Sequence, residues 1–171
     1  IIGTLPSVFF VLSAKSFILE LFESIKSVSV ALIITSLVLF LSNFAIRRNE
    51  KINLKKGLFI GLAQACAIIP GISRSGMTIS AALISGVSNK EAAKFSFLLA
   101  IPAILGAIIV TAFDIRYEFA STIWLPIVIT SVTAFISGYY ALKILIKLLE
   151  SGKFYYFAYY CLLLGLITLI I

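Results

Sequence analysis

The sequence predicts an all-α, polytopic membrane protein, and three observations support this class. Of the 171 residues, 61% are hydrophobic and only 12% are charged, whereas a soluble domain is about 45–50% apolar and about 25% charged. The hydrophobic residues are gathered into long runs, and the basic residues lie at the ends of those runs, as membrane topology requires. The net charge of +7 is therefore better explained by topology than by nucleic-acid binding, and we expect 1–171 to form a single membrane domain.

Four of the hydrophobic runs have the length of a membrane span. They contain 18 or 19 residues, near the roughly 20 that a helix needs to cross the hydrocarbon core, and comprise 28–46, 95–113, 124–142 and 154–171. A first run, 1–14, is shorter, and it has neither a basic segment before it nor an obvious cleavage site, so it does not resemble a signal peptide. We interpret it as a truncated span and expect the chain to be the C-terminal portion of a longer protein.

The runs 57–72 and 77–87 are too short to span individually, with 16 and 11 residues. If they form one re-entrant hairpin, 57–87, the segments 47–56, 88–94 and 143–153 all lie on one side and carry ten of the fourteen Lys and Arg residues. A single crossing would place 47–56 and 88–94 on opposite faces and weaken this bias. The positive-inside rule therefore favours the re-entrant hairpin, with these three loops in the cytoplasm.

The break between the two short runs reads "IIPGISRSGMTIS" (68–80). Pro70 and Gly71 are expected to end the first half-helix, and irregular backbone at membrane depth needs protein or water around it. An arginine there costs roughly 2.5–3.5 kcal/mol on insertion scales, which indicates a function for Arg74. Its charge, the nearby hydroxyl groups and a helix N-terminus together favour an anion, most naturally phosphate. The alternative is that Arg74 reaches a lipid headgroup and the serines only cap a helix.

Two familiar phosphate-handling motifs do not fit this loop. A cysteine-nucleophile phosphatase needs its cysteine six residues before the arginine, where Ile68 stands, and an NTPase phosphate-binding loop needs a lysine where Met77 follows Gly76. The chain contains no histidine, so it cannot perform histidine-based phosphatase chemistry or Ser-His-Asp catalysis alone.

The segment "GLAQACAIIPGISRSGMTIS" (61–80) closely resembles the second signature of undecaprenyl-diphosphate phosphatases of the bacitracin-resistance type, integral membrane enzymes of bacterial cell-wall lipid recycling. The likeness continues through "KEAAKFSFLLAIPAILGA" (90–107) and more weakly into 3–10 and 159–166. It covers essentially the whole chain.

The resemblance implies an activity, a fold and a set of site residues. Such enzymes remove the terminal phosphate of a polyprenyl diphosphate and leave the monophosphate carrier. Their fold has two inverted repeats, each with a re-entrant hairpin, around a site open to the outer face of the plasma membrane. By motif, the expected catalytic residues are Arg74, Ser73 and Ser75, and the expected substrate-binding residues are Arg74, Ser75, Gly76, Thr78 and Gln64. Gln64 has an alternative role as a structural hydrogen bond across helices.

This chain also departs from the family pattern, because the glutamate-rich first signature, with its serine pair and histidine, is absent. The resemblance implies a divalent cation, Mg²⁺ or Ca²⁺, with its carboxylate ligands in that missing N-terminal half, so no metal ligand is expected within 1–171. The expected partners are the lipid diphosphate, the bilayer, the first repeat and a second copy in a homodimer. The alternative function is a lipid-phosphate transporter or binding half that uses the same anion site without hydrolysis.

Overall fold

The described part of the chain consists of helices joined by turns and loops. A computed structural model of the protein describes residues 2–4, 6–7, 9–10, 21, 24–46, 49–114 and 124–170. Within these ranges no strand occurs, and a 3-10 turn at Ile2–Thr4 precedes six helices: α1 (Ile25–Ser42), α2 (Leu54–Cys66), α3 (Arg74–Ile84), α4 (Asn89–Asp114), α5 (Trp124–Glu150) and α6 (Tyr156–Ile170). The all-α prediction is confirmed for these residues.

Three of the helices are long and apolar enough to cross a membrane: α1, the Asn89–Ile109 part of α4, and α5. The predicted fourth span is an apolar helix of 15 residues, α6, and falls short of that length. Half of the run 1–14, the pair Arg47 and Arg48, and the segment 115–123 lie outside the described residues.

Helix boundaries differ from the hydrophobic runs on the lysine-rich side. Helix α4 begins at Asn89, six residues before its run, because the Ser88 side chain accepts a hydrogen bond from the Glu91 N–H at 3.4 Å and caps the helix there. Helix α5 continues to Glu150. Most of 88–94 and 143–153, which were predicted as loops, is therefore helical. Lysine and glutamate are good helix formers. A hydrophobic run marks the part of a helix that contacts lipid, and the helix can extend beyond it.

Helices α1 and α6 pack closely along a line of small residues. A Cβ at Gly165 would lie 3.0–3.1 Å from atoms of Ile33, Leu32 and the Ser29 carbonyl, so the α6 backbone lies directly against α1. The buried Ser29 hydroxyl lies 2.9 Å from the Thr168 hydroxyl. Small residues and hydroxyl pairs of this kind join helices where apolar surface alone provides no preference for protein over lipid.

Helix α3 lies at the centre of the described structure and contacts α1, α2 and α4. Its fully buried residues Ile79 and Leu83 belong to the same apolar core as Ile60 of α2 and Leu39 of α1. This core fixes the axis of α3 and therefore the position of its N-terminus.

Helix α5 contacts only α4 among the described elements, and Leu149 is its only buried residue. The Asn89 side-chain amide donates a hydrogen bond to the Leu149 carbonyl, which ties the end of α5 to the start of α4. The other residues of α5 are mostly apolar and are exposed or partly exposed in the described structure.

Candidate functional site

The loop between α2 and α3 lies directly against α1. Helix α2 ends at Cys66, earlier than the run 57–72 predicted, and α3 begins at Arg74 rather than at residue 77. Gly71 has φ of +92°, and a Cβ there would lie 2.5 Å from the Val28 carbonyl oxygen. Only glycine allows both the conformation and this approach, so Gly71 holds the loop in place against α1.

Ser73 caps α3, and Thr35 of α1 holds the cap. The Ser73 hydroxyl accepts the Gly76 N–H at 3.1 Å, as an N-cap serine does. The Ser73 N–H in turn donates to the Thr35 hydroxyl at 3.2 Å. Thr35 is fully buried and also donates to its own helix at the Ala31 carbonyl, 2.9 Å away. The first turn of α3 is therefore anchored to a membrane-spanning helix.

Arg74 is the first residue of α3, and its guanidinium is held on one side only. Nε and Nη2 donate to the Gln64 side-chain oxygen at 3.3 and 3.4 Å, and Nη2 also reaches the Leu99 carbonyl at 3.5 Å. In the described part of the chain Nη1 has no hydrogen-bond partner, and no carboxylate forms an ion pair with this arginine. Two N–H groups and the positive charge thus remain available to a ligand.

Gln64 lies on α2 and is only 2% exposed. Its Oε1 accepts from Arg74, while its Nε2 donates to the Ser7 hydroxyl at 3.1 Å. Because a guanidinium can only donate, the bonds from Arg74 fix Oε1 as the end of the amide that faces the arginine, and Nε2 is left to donate to Ser7. Gln64 therefore makes the hydrogen bond between elements that the structural alternative expects and also orients Arg74, while its binding of substrate stays a prediction.

The other predicted residues in the first turn of α3 differ in whether their donor groups are already hydrogen-bonded. Among described residues, the backbone N–H groups of Arg74 and Ser75 and the half-exposed Ser75 hydroxyl have no partner, whereas the Gly76 N–H is used by the Ser73 cap. A Cβ at Gly76 would lie 2.9 Å from the Ser73 hydroxyl oxygen, so a larger residue would disturb the cap.

Thr78 is directed toward α4 rather than toward Arg74's open side. It is 1% exposed, its hydroxyl lies 2.6 Å from that of Ser96, and it also donates to the Arg74 carbonyl at 2.9 Å. This geometry gives Thr78 a positioning role between α3 and α4.

These donors together suit a multiply charged oxyanion. The available groups are the Nη1 hydrogens of Arg74, the N–H groups of Arg74 and Ser75 at the positive end of the α3 dipole, and two serine hydroxyl hydrogens. By contrast, among the described residues no group of histidine, cysteine and carboxylate side chains could hold a metal ion. The described donors therefore do not fit the expected cation, and they fit phosphate oxygens.

Four residues of this site were not predicted: Ser7, Thr35, Ser96 and Leu99. Thr35 and Ser96 are polar residues inside hydrophobic segments, which is the one signal that sequence offered. Leu99 contributes a main-chain carbonyl, which no side-chain pattern reveals.

The fold of the described residues defines a helical protein with three helices long and apolar enough to cross a membrane, and a cluster of hydrogen-bond donors lies at the N-terminus of its short helix α3. Sequence comparison identifies the family: the chain matches the family described as bacitracin resistance protein BacA over residues 1–167. The chain belongs to this family.

Named relatives match nearly all of this chain. It is 37% identical over 173 residues to undecaprenyl-diphosphatase 3 of Bacillus anthracis, covering 99% of this chain and 64% of the relative. It is 40% identical over 177 residues to the undecaprenyl-diphosphatase of Carboxydothermus hydrogenoformans, covering 100% of this chain and 68% of the relative. A third, the undecaprenyl-diphosphatase of Desulforapulum autotrophicum, is 41% identical over 175 residues, covering 99% and 62%. The chain thus spans about two thirds of the length of these relatives.

Proposed function

We propose that this chain supplies the phosphate-binding part of an undecaprenyl-diphosphate phosphatase, which converts the lipid diphosphate to the monophosphate carrier. The proposal rests on the hydrogen bonding of Arg74 at the start of α3. Its Nε and Nη2 are bonded to the protein, while Nη1 and two backbone N–H groups have no partner among the described residues and can bind a ligand. The names of the relatives favour hydrolysis over the transport alternative.

In this proposal Arg74 binds the terminal phosphate through Nη1 and neutralises charge on the phosphoryl group as its bond to the bridging oxygen breaks. Water is the net acceptor of the phosphoryl group, so inorganic phosphate is released and the bridging oxygen stays on the lipid monophosphate. The N–H groups of Arg74 and Ser75 bind non-bridging oxygens, and the Ser73 and Ser75 hydroxyls donate further hydrogen bonds. Gln64 and Thr78 hold Arg74 and α3 in position, and Gly76 keeps the cap compact. No described residue group fits Mg²⁺ or Ca²⁺, so we derive no step through a cation and expect its ligands, if the enzyme uses one, outside the described residues.

The proposal includes the surroundings of the site. We infer that 57–87 forms a re-entrant hairpin in one half of an inverted-repeat fold, that 47–56, 88–94 and 143–153 face the cytoplasm, and that the site opens to the outer face of the plasma membrane. The contacts of α3 with α1, α2 and α4 support a hairpin buried in protein. The greater length of the relatives is consistent with a first repeat, and the uncovered surface of α5 is consistent with lipid or a homodimer.

The test is an assay of this chain in detergent with farnesyl diphosphate, with and without Mg²⁺ or Ca²⁺. Binding is measured by native mass spectrometry and turnover by release of phosphate. We expect Arg74→Lys to lose at least tenfold in both, because an ammonium cannot reproduce the planar, two-pronged contact of a guanidinium with phosphate.

Lys143→Gln is the matched control for Arg74→Ala, since it removes one positive charge at an exposed position on α5. Binding that survives Arg74→Lys and Arg74→Ala undiminished would exclude the assigned role. Binding without phosphate release, in this chain and in a full-length relative alike, would instead support the transport alternative.

A further inference from the structure

A second cleft lies on the lysine-rich side of the molecule, and Ser73, Arg74, Ser75 and Gly76 do not line it. It begins as a cavity of about 560 Å³ between the 49–52 segment and the start of α4. Its lining residues are Asn49, Glu50, Lys51, Ile52, Ser88, Glu91, Lys94, Phe95 and Leu98.

An apolar cavity of about 450 Å³ adjoins it, because both are lined by Ile52, Phe95 and Leu98. The second cavity continues along α2 past Gly57 and ends at Gly3 and Leu99. Each cavity has a volume within the roughly 300–1,000 Å³ of ligand pockets. The two form one cleft with a polar mouth and an apolar interior.

The charges at the mouth favour an anionic group. Lys51 and Lys94 are exposed and line it, and among the acids there Glu50 is paired with Lys56. Glu91 is the remaining carboxylate of the lining, so lysine is in excess. A third lysine, Lys90, lies one turn from Lys94 and lines the neighbouring cavity between α4 and α5.

The position of the cleft fits a lipid rather than a soluble anion. Its mouth is formed by the two segments whose charges the positive-inside rule assigns to the membrane surface. Its interior follows α4 for about 7 Å from Lys94 to Leu99 at 1.5 Å per residue, toward the apolar part of that helix. An anionic headgroup at the lysines would thus place an acyl chain against Phe95 and Leu98.

We propose that this cleft binds an anionic phospholipid of the bilayer, with the headgroup phosphate between Lys51 and Lys94 and one acyl chain between α2 and α4. The site is separate from the phosphate site of the proposed function and does not depend on it. The two approach each other at Leu99, whose side chain lines the cleft and whose carbonyl accepts from Arg74.

The test uses this chain in detergent, titrated with phosphatidylglycerol, phosphatidylethanolamine or phosphatidylcholine and observed by native mass spectrometry. We expect phosphatidylglycerol to bind most tightly. The double variant Lys51→Gln/Lys94→Gln should weaken it by roughly 25-fold, since each lysine near an anionic lipid surface contributes about fivefold.

Two further variants separate a built site from general attraction. Lys143→Gln/Lys147→Gln removes the same charge from exposed positions that line none of these cavities, and its binding should equal that of the unchanged chain. Gly57→Leu should also weaken binding, because a Cβ at Gly57 approaches only Phe95, at 3.9 Å, and a longer side chain would fill the interior.

Thermal unfolding of each variant without lipid confirms that it is folded. The proposal is overturned if the two double variants lose affinity equally, if Gly57→Leu binds as the unchanged chain does, or if phosphatidylcholine binds as tightly as phosphatidylglycerol.

Discussion

Part of the Arg74 guanidinium is hydrogen-bonded to the protein, and part of it has no partner among the described residues. Carbonyl oxygens of Gln64 and Leu99 occupy Nε and Nη2, which orients the plane of the group without neutralising it. A carboxylate in the position of Gln64 would orient the group equally well, but it would cancel the charge that an anion needs. The Gln64 amide therefore orients the guanidinium of Arg74 and leaves its positive charge uncompensated.

This reasoning predicts that Gln64→Glu lowers the affinity for farnesyl diphosphate by at least tenfold, because the new carboxylate lies beside the ligand phosphate. Thermal stability should change little or rise, since the pair with Arg74 replaces the present hydrogen bonds. Gln64→Met, which has similar length and no charge, is the comparison and should lose less affinity. Both quantities are measured on the same detergent sample, and equal affinity of Gln64→Glu and the unchanged chain would contradict the role given to Gln64.

The sequence singled out candidate site residues within 68–80, and their chemical roles stay predictions, but it did not predict how these residues are held. Arg74, Ser73 and Gly76 stand together in one motif, so local pattern was enough to select them. The residues that hold the site are distant in sequence. Ser73 bonds to Thr35, 38 residues away, Gln64 bonds to Ser7, 57 residues away, and Thr78 bonds to Ser96, 18 residues away. Such pairings depend on helix packing, which composition and hydrophobic runs do not determine.

At the scale of elements, hydrophobic runs predicted that helices exist but not where they end. The Ser88 cap lies on the polar side of a run boundary, and the cap, rather than the loss of hydrophobicity, starts the helix. The tight pairing of α1 with α6 was also not predicted, because Gly165 and Ser29 stand in sequences that read simply as apolar.

That pairing predicts a contrast between two glycines. Gly165→Val should destabilise the protein by about 1–3 kcal/mol, since the added carbons enter space already filled by Leu32 and Ile33. Gly138→Val on α5 is the matched control, because no atom lies within 4 Å of a Cβ there, and it should leave stability unchanged or slightly raised. Thermal unfolding in detergent measures both, and equal midpoints would show that α1 and α6 are not closely packed.

At the scale of the whole molecule, the class of protein was predictable because membrane insertion leaves a strong mark on composition. The family match and the three apolar helices agree with that class. The path of 57–87 through the bilayer depends instead on where the lysine-rich segments lie, which remains a prediction from charge alone.

Cysteine labelling tests that path. In a background with Cys66→Ser and Cys161→Ser, we expect Lys55→Cys and Lys90→Cys to resist a membrane-impermeant maleimide in intact cells and to react in inverted vesicles. Trp124→Cys, at the far end of α5, should react in intact cells. Opposite labelling of positions 55 and 90 would mean that 57–87 crosses the membrane once.

The length of α5 has a consequence for how it sits in a bilayer. With 27 residues, α5 is about 40 Å long, longer than the roughly 30 Å hydrocarbon core of a bilayer. Its buried residue Leu149 and its bond to Asn89 lie at the same end, beside the lysine-rich segment. A helix of this length must tilt or extend beyond the hydrocarbon core, so the thickness of the surrounding membrane should help to set its angle.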